Sequence, residues 1–143
     1  MIRDMEAYVK SLWDWSFINS LLPRHMSIGD VDGICVLPSG HFLILEGKHA
    51  QRDRPPHSIP KGQLLGFRYL ARTGKATILM LGGRPPNEVY WMRVMSGETE
   101  DTKWLPATNE TVQRFILHWL QKHDSYFDVD LENGTTTSTA LGD

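Results

Sequence analysis

Apolar and polar positions change their spacing several times along this chain, and each change predicts an element. Over residues 3–16, Met5, Val9, Leu12 and Trp13 recur at helical intervals, which predicts an amphipathic first helix. Residues 17–29 hold Phe17, Ile18, Leu21, Leu22 and Pro23 without a period and read as an irregular approach to a hairpin. Two apolar runs, centred on Ile34–Leu37 and Phe42–Leu45, then flank the compact turn Pro38-Ser39-Gly40. Residues 49–59 are polar and proline-containing, hence a loop. Pro60 suits the first turn of a helix, expected over 60–72 with Leu64, Phe67 and Leu70 or Ala71 on one face. Ala76–Leu81 reads as a short buried strand ended by Gly82-Gly83. A strand, a helix and a second strand in succession predict a crossover that leaves the two strands parallel.

Residues 88–95 predict another strand, 96–103 a charged loop, and 110–123 a final helix capped by Thr108 or Asn109. Val112, Phe115, Ile116, Trp119 and Leu120 give that helix a continuous apolar stripe. Beyond Leu131 the chain is polar and threonine-rich, so 132–143 is expected to be a disordered tail behind one domain over 1–131. The fold class that results is an α/β sheet of mixed direction.

Composition narrows the partners. A net charge of −2 excludes a broad basic surface, so contacts to nucleic acid must come from local patches. The single cysteine, Cys35, lies inside an apolar run and is expected to be a buried thiol, which excludes a disulfide framework. The six histidines lack ligand spacing. No apolar run approaches 18 residues and the N-terminus lacks a signal-peptide pattern, so no membrane and a cytoplasmic location are expected.

The densest chemistry lies at the ends of the two apolar runs. A three-residue loop with Pro38 at the second turn position and Gly40 in the left-handed region puts Leu37 opposite His41, whereas a four-residue loop would slip the pairing by one and send Asp32 and Glu46 to opposite faces. Paired residue numbers then sum to 78, so Asp32 opposes Glu46 and Asp30 opposes Lys48. Residues two apart on a strand share a face, so all four groups project from one side. Two carboxylates about 5 Å apart repel by roughly 3 kcal/mol at an effective dielectric near 20. A cation between them relieves that cost, and the pattern points to a metal site. A blander reading makes Asp30–Lys48 a cross-strand salt bridge and Asp32 a cap. Asp101-Thr102-Lys103 repeats the acid-x-Lys spacing with no apolar strand before it, and carries no weight.

An acid at the start of a hairpin followed by Glu46-Gly47-Lys48 at the end of its second strand resembles the PD-(D/E)XK nuclease superfamily, closest to Holliday-junction resolvase-like and phage nucleases. The resemblance spans roughly residues 1–82. It implies a restriction-endonuclease-like αβββαβ core, here with an extra strand and a C-terminal helix. It also implies a Mg²⁺- or Mn²⁺-dependent endonuclease that hydrolyses DNA phosphodiesters, structure-selective in the junction-resolving manner. Asp32, Glu46, Lys48 and Gln63 are then the catalytic residues, and Asp32, Glu46 and the Gly47 carbonyl the metal ligands. Asp30 and Glu6 are further candidate acids; Arg52, Arg54 and Lys61 are candidate DNA contacts. Gly29-Asp30-Val31-Asp32 departs from the family pattern in having two acids and no Pro-Asp, which leaves open which aspartate is the ligand. DNA is the expected partner, and a homodimer is expected by analogy. The rival expectation is a catalytically inactive nuclease-fold module that binds DNA or protein.

Overall fold

A computed structural model describes residues 12–24, 26, 28–57, 59–99, 101–123, 127–130 and 135–138. The chain falls into two compact units, Met1–Asp30 and Val31–Asp143.

In the first unit the described residues hold one short helix, α1 (Ser16–Asn19). Most of the helix expected over 3–16 lies outside the described residues. Where it overlaps them, at 12–16, the chain is not helical until Ser16, where α1 begins. The Asp14 carboxylate accepts a hydrogen bond from the Ser16 amide at 2.9 Å, and the rings of Trp13 and Trp15 stack 5.7 Å apart. Aspartate two residues ahead of a free amide is a turn-forming arrangement that competes with helix.

The second unit is built on a five-stranded sheet in the order β1 (Gly33–Val36), β2 (Phe42–His49), β3 (Ala76–Arg84), β4 (Glu88–Met95), β5 (Leu105–Pro106). Helix α2 (Lys61–Arg72) links β2 to β3, which run parallel, and every other neighbouring pair in this sheet is antiparallel. This is the expected α/β sheet of mixed direction, with helix α3 (Asn109–His123) following it. A small antiparallel pair, β6 (Phe127–Asp130) and β7 (Thr135–Ser138), comes last. Residues 135–138 were expected within a tail; four β-branched or small polar residues in a row, Thr-Thr-Thr-Ser, have strand propensity enough to pair with β6.

Burial explains the layering. Ile78, Leu79 and Met80 on the central strand are wholly buried because α2 covers one face of the sheet and α3 the other. Ile44, Ile78, Met80 and Met95 pack with Phe67 and Ala71 of α2, while Leu37, Leu43, Leu79 and Val94 pack with Trp119 of α3. A strand enclosed on both sides reads as a continuous apolar run, as Ala76–Leu81 does. The hairpin register is that of the three-residue loop: Gly33 opposes Leu45 and Val36 opposes Phe42, with Gly40 at φ 91°. Thr108 caps α3, its hydroxyl accepting from the Thr111 amide at 3.2 Å.

Two local expectations change. Cys35 is exposed, because β1 is an edge strand. The strand expected to end before Gly82-Gly83 runs through both to Arg84. A side chain at Gly82 would lie 2.6 Å from Pro56, and one at Gly83 would lie 1.9 Å from the Glu88 carbonyl oxygen. Glycine here permits a bulged strand and a close loop, not a chain break. No helix among the described residues is long and apolar enough to cross a membrane.

Candidate functional site

The site forms where β2 outruns its partner. Leu37 donates its amide to His41 at 2.9 Å, so the pair 37/41 is hydrogen-bonded, and stepping by two makes 33/45 the last such pair within β1. The next amide facing β1 is that of Gly47. Pairing stops at Gly33, and the Asp32 carboxylate takes the place of the missing ladder carbonyl: Oδ2 accepts from the Gly47 amide at 2.7 Å. Asp32 is therefore positioned at Gly47, between Glu46 and Lys48 in sequence, and not as a strand residue directly opposite Glu46.

Glu46 and Lys48 share the face that α2 covers, since they alternate with Ile44. Glu46 is 7 % exposed and sits beside Met80 of β3. Its Oε1 lies 3.3 Å from Lys48 Nζ. Its Oε2 is buried with no hydrogen-bond partner among the described residues. An ionised oxygen withdrawn from water without a partner is costly, so this is a place where a cation, a proton or a bound water has something to gain. Gln63, in the first turn of α2, is half-buried, and its Oε1 is also buried without a partner among the described residues. α2 returns antiparallel to β2 and packs on β3 and β4, on the sheet face that also carries Glu46 and Lys48.

A cleft of about 250 Å³ opens beside this strand end, lined by Asp32, Gly47, Lys48, Gly82, Arg84 and Glu88 among others. The β3–β4 turn that forms its far wall includes a cis peptide between Pro85 and Pro86. The sequence pattern did not assign these wall residues to a site; the Gly82-Gly83 and Pro85-Pro86 pairs were the available signal. The loop after β2 is fixed by Trp91 Nε1 donating to the Gln51 carbonyl at 2.8 Å, by Ala50 donating to Gly83 at 3.0 Å, and by Pro56 against Gly82.

Asp30 belongs to the first unit, and Glu6 lies outside the described residues. Arg52 is held 4.7 Å over the Tyr90 ring and 3.7 Å from Glu88. Arg54 donates to the Gln51 side chain at 3.2 Å, and Lys61 stands exposed at the start of α2. Among the described residues, no three histidine, cysteine, aspartate or glutamate side chains converge as a self-sufficient metal cage. A hard cation such as Mg²⁺ needs fewer protein ligands than that, since it keeps several of its waters. The orphaned Glu46 oxygen, one residue from the Gly47 amide that anchors Asp32, fits such an ion.

No family model matches the chain, and neither a curated protein nor a solved structure is significantly similar to it.

Proposed function

We propose that this protein is a divalent-metal-dependent nuclease that hydrolyses phosphodiester bonds of DNA at the end of β2. The reading is supported above all by Glu46, a buried carboxylate with one oxygen 3.3 Å from an ammonium group and the other without a partner. Proteins rarely keep an unpaired buried polar atom unless it has work to do. Asp32 and Glu46 would hold Mg²⁺ or Mn²⁺, with the Gly47 carbonyl as a third oxygen. When bound, the ion supplies Lewis acidity and a water of lowered pKa.

The chain's own groups do the rest. Lys48 carries three donors, one of them spent on Glu46, and offers the others to a phosphate oxygen or to the attacking water. The unpartnered Gln63 oxygen accepts from that water and so fixes its direction. Arg84 in the cleft wall supplies positive charge where the flanking backbone would run. The preferred substrate is branched or nicked DNA, a choice that rests on the resemblance to junction-resolving nucleases.

The test is nicking of supercoiled plasmid and of labelled linear, flapped, single-stranded and four-way DNA with Mg²⁺ or Mn²⁺. The wild type cleaves; Asp32→Asn and Lys48→Ala, with intact circular dichroism, lose at least a hundredfold. Metal-independent cleavage, or undiminished cleavage by Lys48→Ala, would overturn the reading. Retained DNA binding with no cleavage under any metal would instead make the chain a non-cleaving nuclease-fold module.

A further inference from the structure

The acid-x-Lys repeat at 101–103, without weight as a sequence motif, organises a second site at the opposite end of the sheet. The Asp101 side chain is only 9 % exposed. Its Oδ1 accepts from Arg93 Nε at 2.8 Å and from the Lys103 amide at 3.0 Å. Its Oδ2 lies 2.5 Å from Arg93 Nη2, 3.6 Å from Lys103 Nζ and 3.7 Å from Arg68 Nη2. One carboxylate thus gathers three cations. Burial pushes its pKa up, but hydrogen bonds from Arg93 and the Lys103 amide and the nearby positive charges outweigh that and bring it to about 2. Asp101 therefore stays ionised, and its charge is already included in the balance.

Asp101, Arg68 and Lys103 line a cavity of about 360 Å³ together with Arg72, Ser96 and Gly97. The lining carries three positive charges, Arg68, Arg72 and Lys103, against one negative, an excess of two; Asp101 is the only acid among the described residues lining the cavity. Lys103 is the one non-glycine residue with positive φ (63°) among the described residues, and its amide donates a hydrogen bond to Asp101 Oδ1. Gly97 lies against the end of α2, where a side chain would stand at ordinary contact distance from Gly74 and the Ala71 carbonyl. A favourable helix dipole accounts for Arg72 in the last turn. It does not account for Arg68, Arg72 and Lys103 all lining one cavity, where Asp101 offsets only part of their charge.

We propose that this cavity binds a phosphate oxyanion, with Arg68, Arg72 and Lys103 as ligands and the Arg93–Asp101 pair as the frame that orients them. Guanidinium groups fixed in a fork suit phosphate oxygens better than mobile lysines do. The same chemistry serves a nucleic-acid backbone or free phosphate. The proposal stands apart from the catalytic reading, because neither Glu46 nor a metal enters it. The cavity lies near the start of β3 and the cleft near its end, about 15–20 Å apart along the strand.

The test is a titration of the full-length protein with inorganic phosphate at constant ionic strength in EDTA, followed by thermal unfolding and by the arginine Nε–H NMR signals. A saturable rise in midpoint is expected, with Arg68 and Arg93 signals shifting along the same curve. Arg72→Ala should weaken phosphate at least tenfold, and Arg114→Ala, a charge-matched change on α3, should not. The Arg68 and Arg93 shifts of the wild type decide the matter even if Arg72→Ala folds poorly. No saturable response, or equal responses in the two variants, overturns the proposal. A duplex-binding arm identifies the source: selective weakening by Arg72→Ala assigns the pocket to nucleic-acid backbone, and unchanged duplex affinity beside lost phosphate binding assigns it to free phosphate.

Discussion

Replacing Glu46 by glutamine separates stability from activity. The substitution keeps the shape of the side chain and removes a buried negative charge. At 3.3 Å the Glu46–Lys48 attraction is about 5 kcal/mol in gross Coulomb terms at an effective dielectric near 20. Desolvation of the carboxylate and the partial exposure of Lys48, 25 %, reduce the net value to about 1 kcal/mol. Against this stands the buried Oε2 without a partner, a penalty of about 1–3 kcal/mol that an amide bears more lightly than a carboxylate. Glu46→Gln is therefore expected to leave stability unchanged or raise it by up to about 2 kcal/mol, a shift of roughly 2–8 °C at most for a domain of this size. The assay is guanidinium denaturation without added metal, run beside plasmid nicking with Mn²⁺. Activity should fall at least a hundredfold in the same protein. A loss of stability greater than about 2 kcal/mol would refute the reasoning, since Glu46 would then be part of the framework rather than a strained functional group.

Other changes test the frame and the fold. Asp101→Asn leaves Arg93, 10 % exposed, without its charge partner and should cost about 3 kcal/mol in chemical denaturation. Gly83→Ala drives a methyl group to 1.9 Å from a backbone carbonyl and should cost about 3 kcal/mol or more, or prevent folding. Gly66→Ala, in open space on α2, should instead raise the thermal midpoint, by about 0.5–1 kcal/mol in stability. His41 and His123 stack in parallel 3.8 Å apart, with Lys122 and Glu98 nearby, and burial lowers both pKa values below 6.5 in the fold. The unfolded chain therefore binds more protons below that point, so stability is intact above pH 6.5 and is lost as pH falls through 6.5 toward the lower native values. His123→Phe keeps a ring in the stack and should flatten that dependence in denaturation curves between pH 7.5 and 5.5.

Much of the fold was legible because burial imposes period. The apolar stripe of α3 and the continuous run of β3 each admit one arrangement, and of the two loops open to Pro38-Ser39-Gly40 the chain takes the three-residue one. The parallel crossover follows from the strand–helix–strand order around α2. Local pattern says less about where pairing ends, since that depends on the path of the chain before Gly33. The register placed Asp32 opposite Glu46, but the ladder stops one residue early and Asp32 caps the Gly47 amide instead. Gly82-Gly83 read as a break because glycine commonly marks one; here Pro56 and Glu88 approach so closely that only glycine fits. Asp101 was discounted for lacking an apolar strand before it. Its partners Arg68 and Arg93 lie on α2 and β4, a convergence that no local window contains.

The central claim, that Asp32, Glu46 and Lys48 surround a divalent-ion site, is tested most directly by Mn²⁺ titration of ¹⁵N-labelled protein. Paramagnetic broadening should begin at the amides of residues 32 and 46–48, saturate, and disappear in the Glu46→Gln variant. Broadening scattered over the surface carboxylates, or unchanged by that substitution, would contradict it.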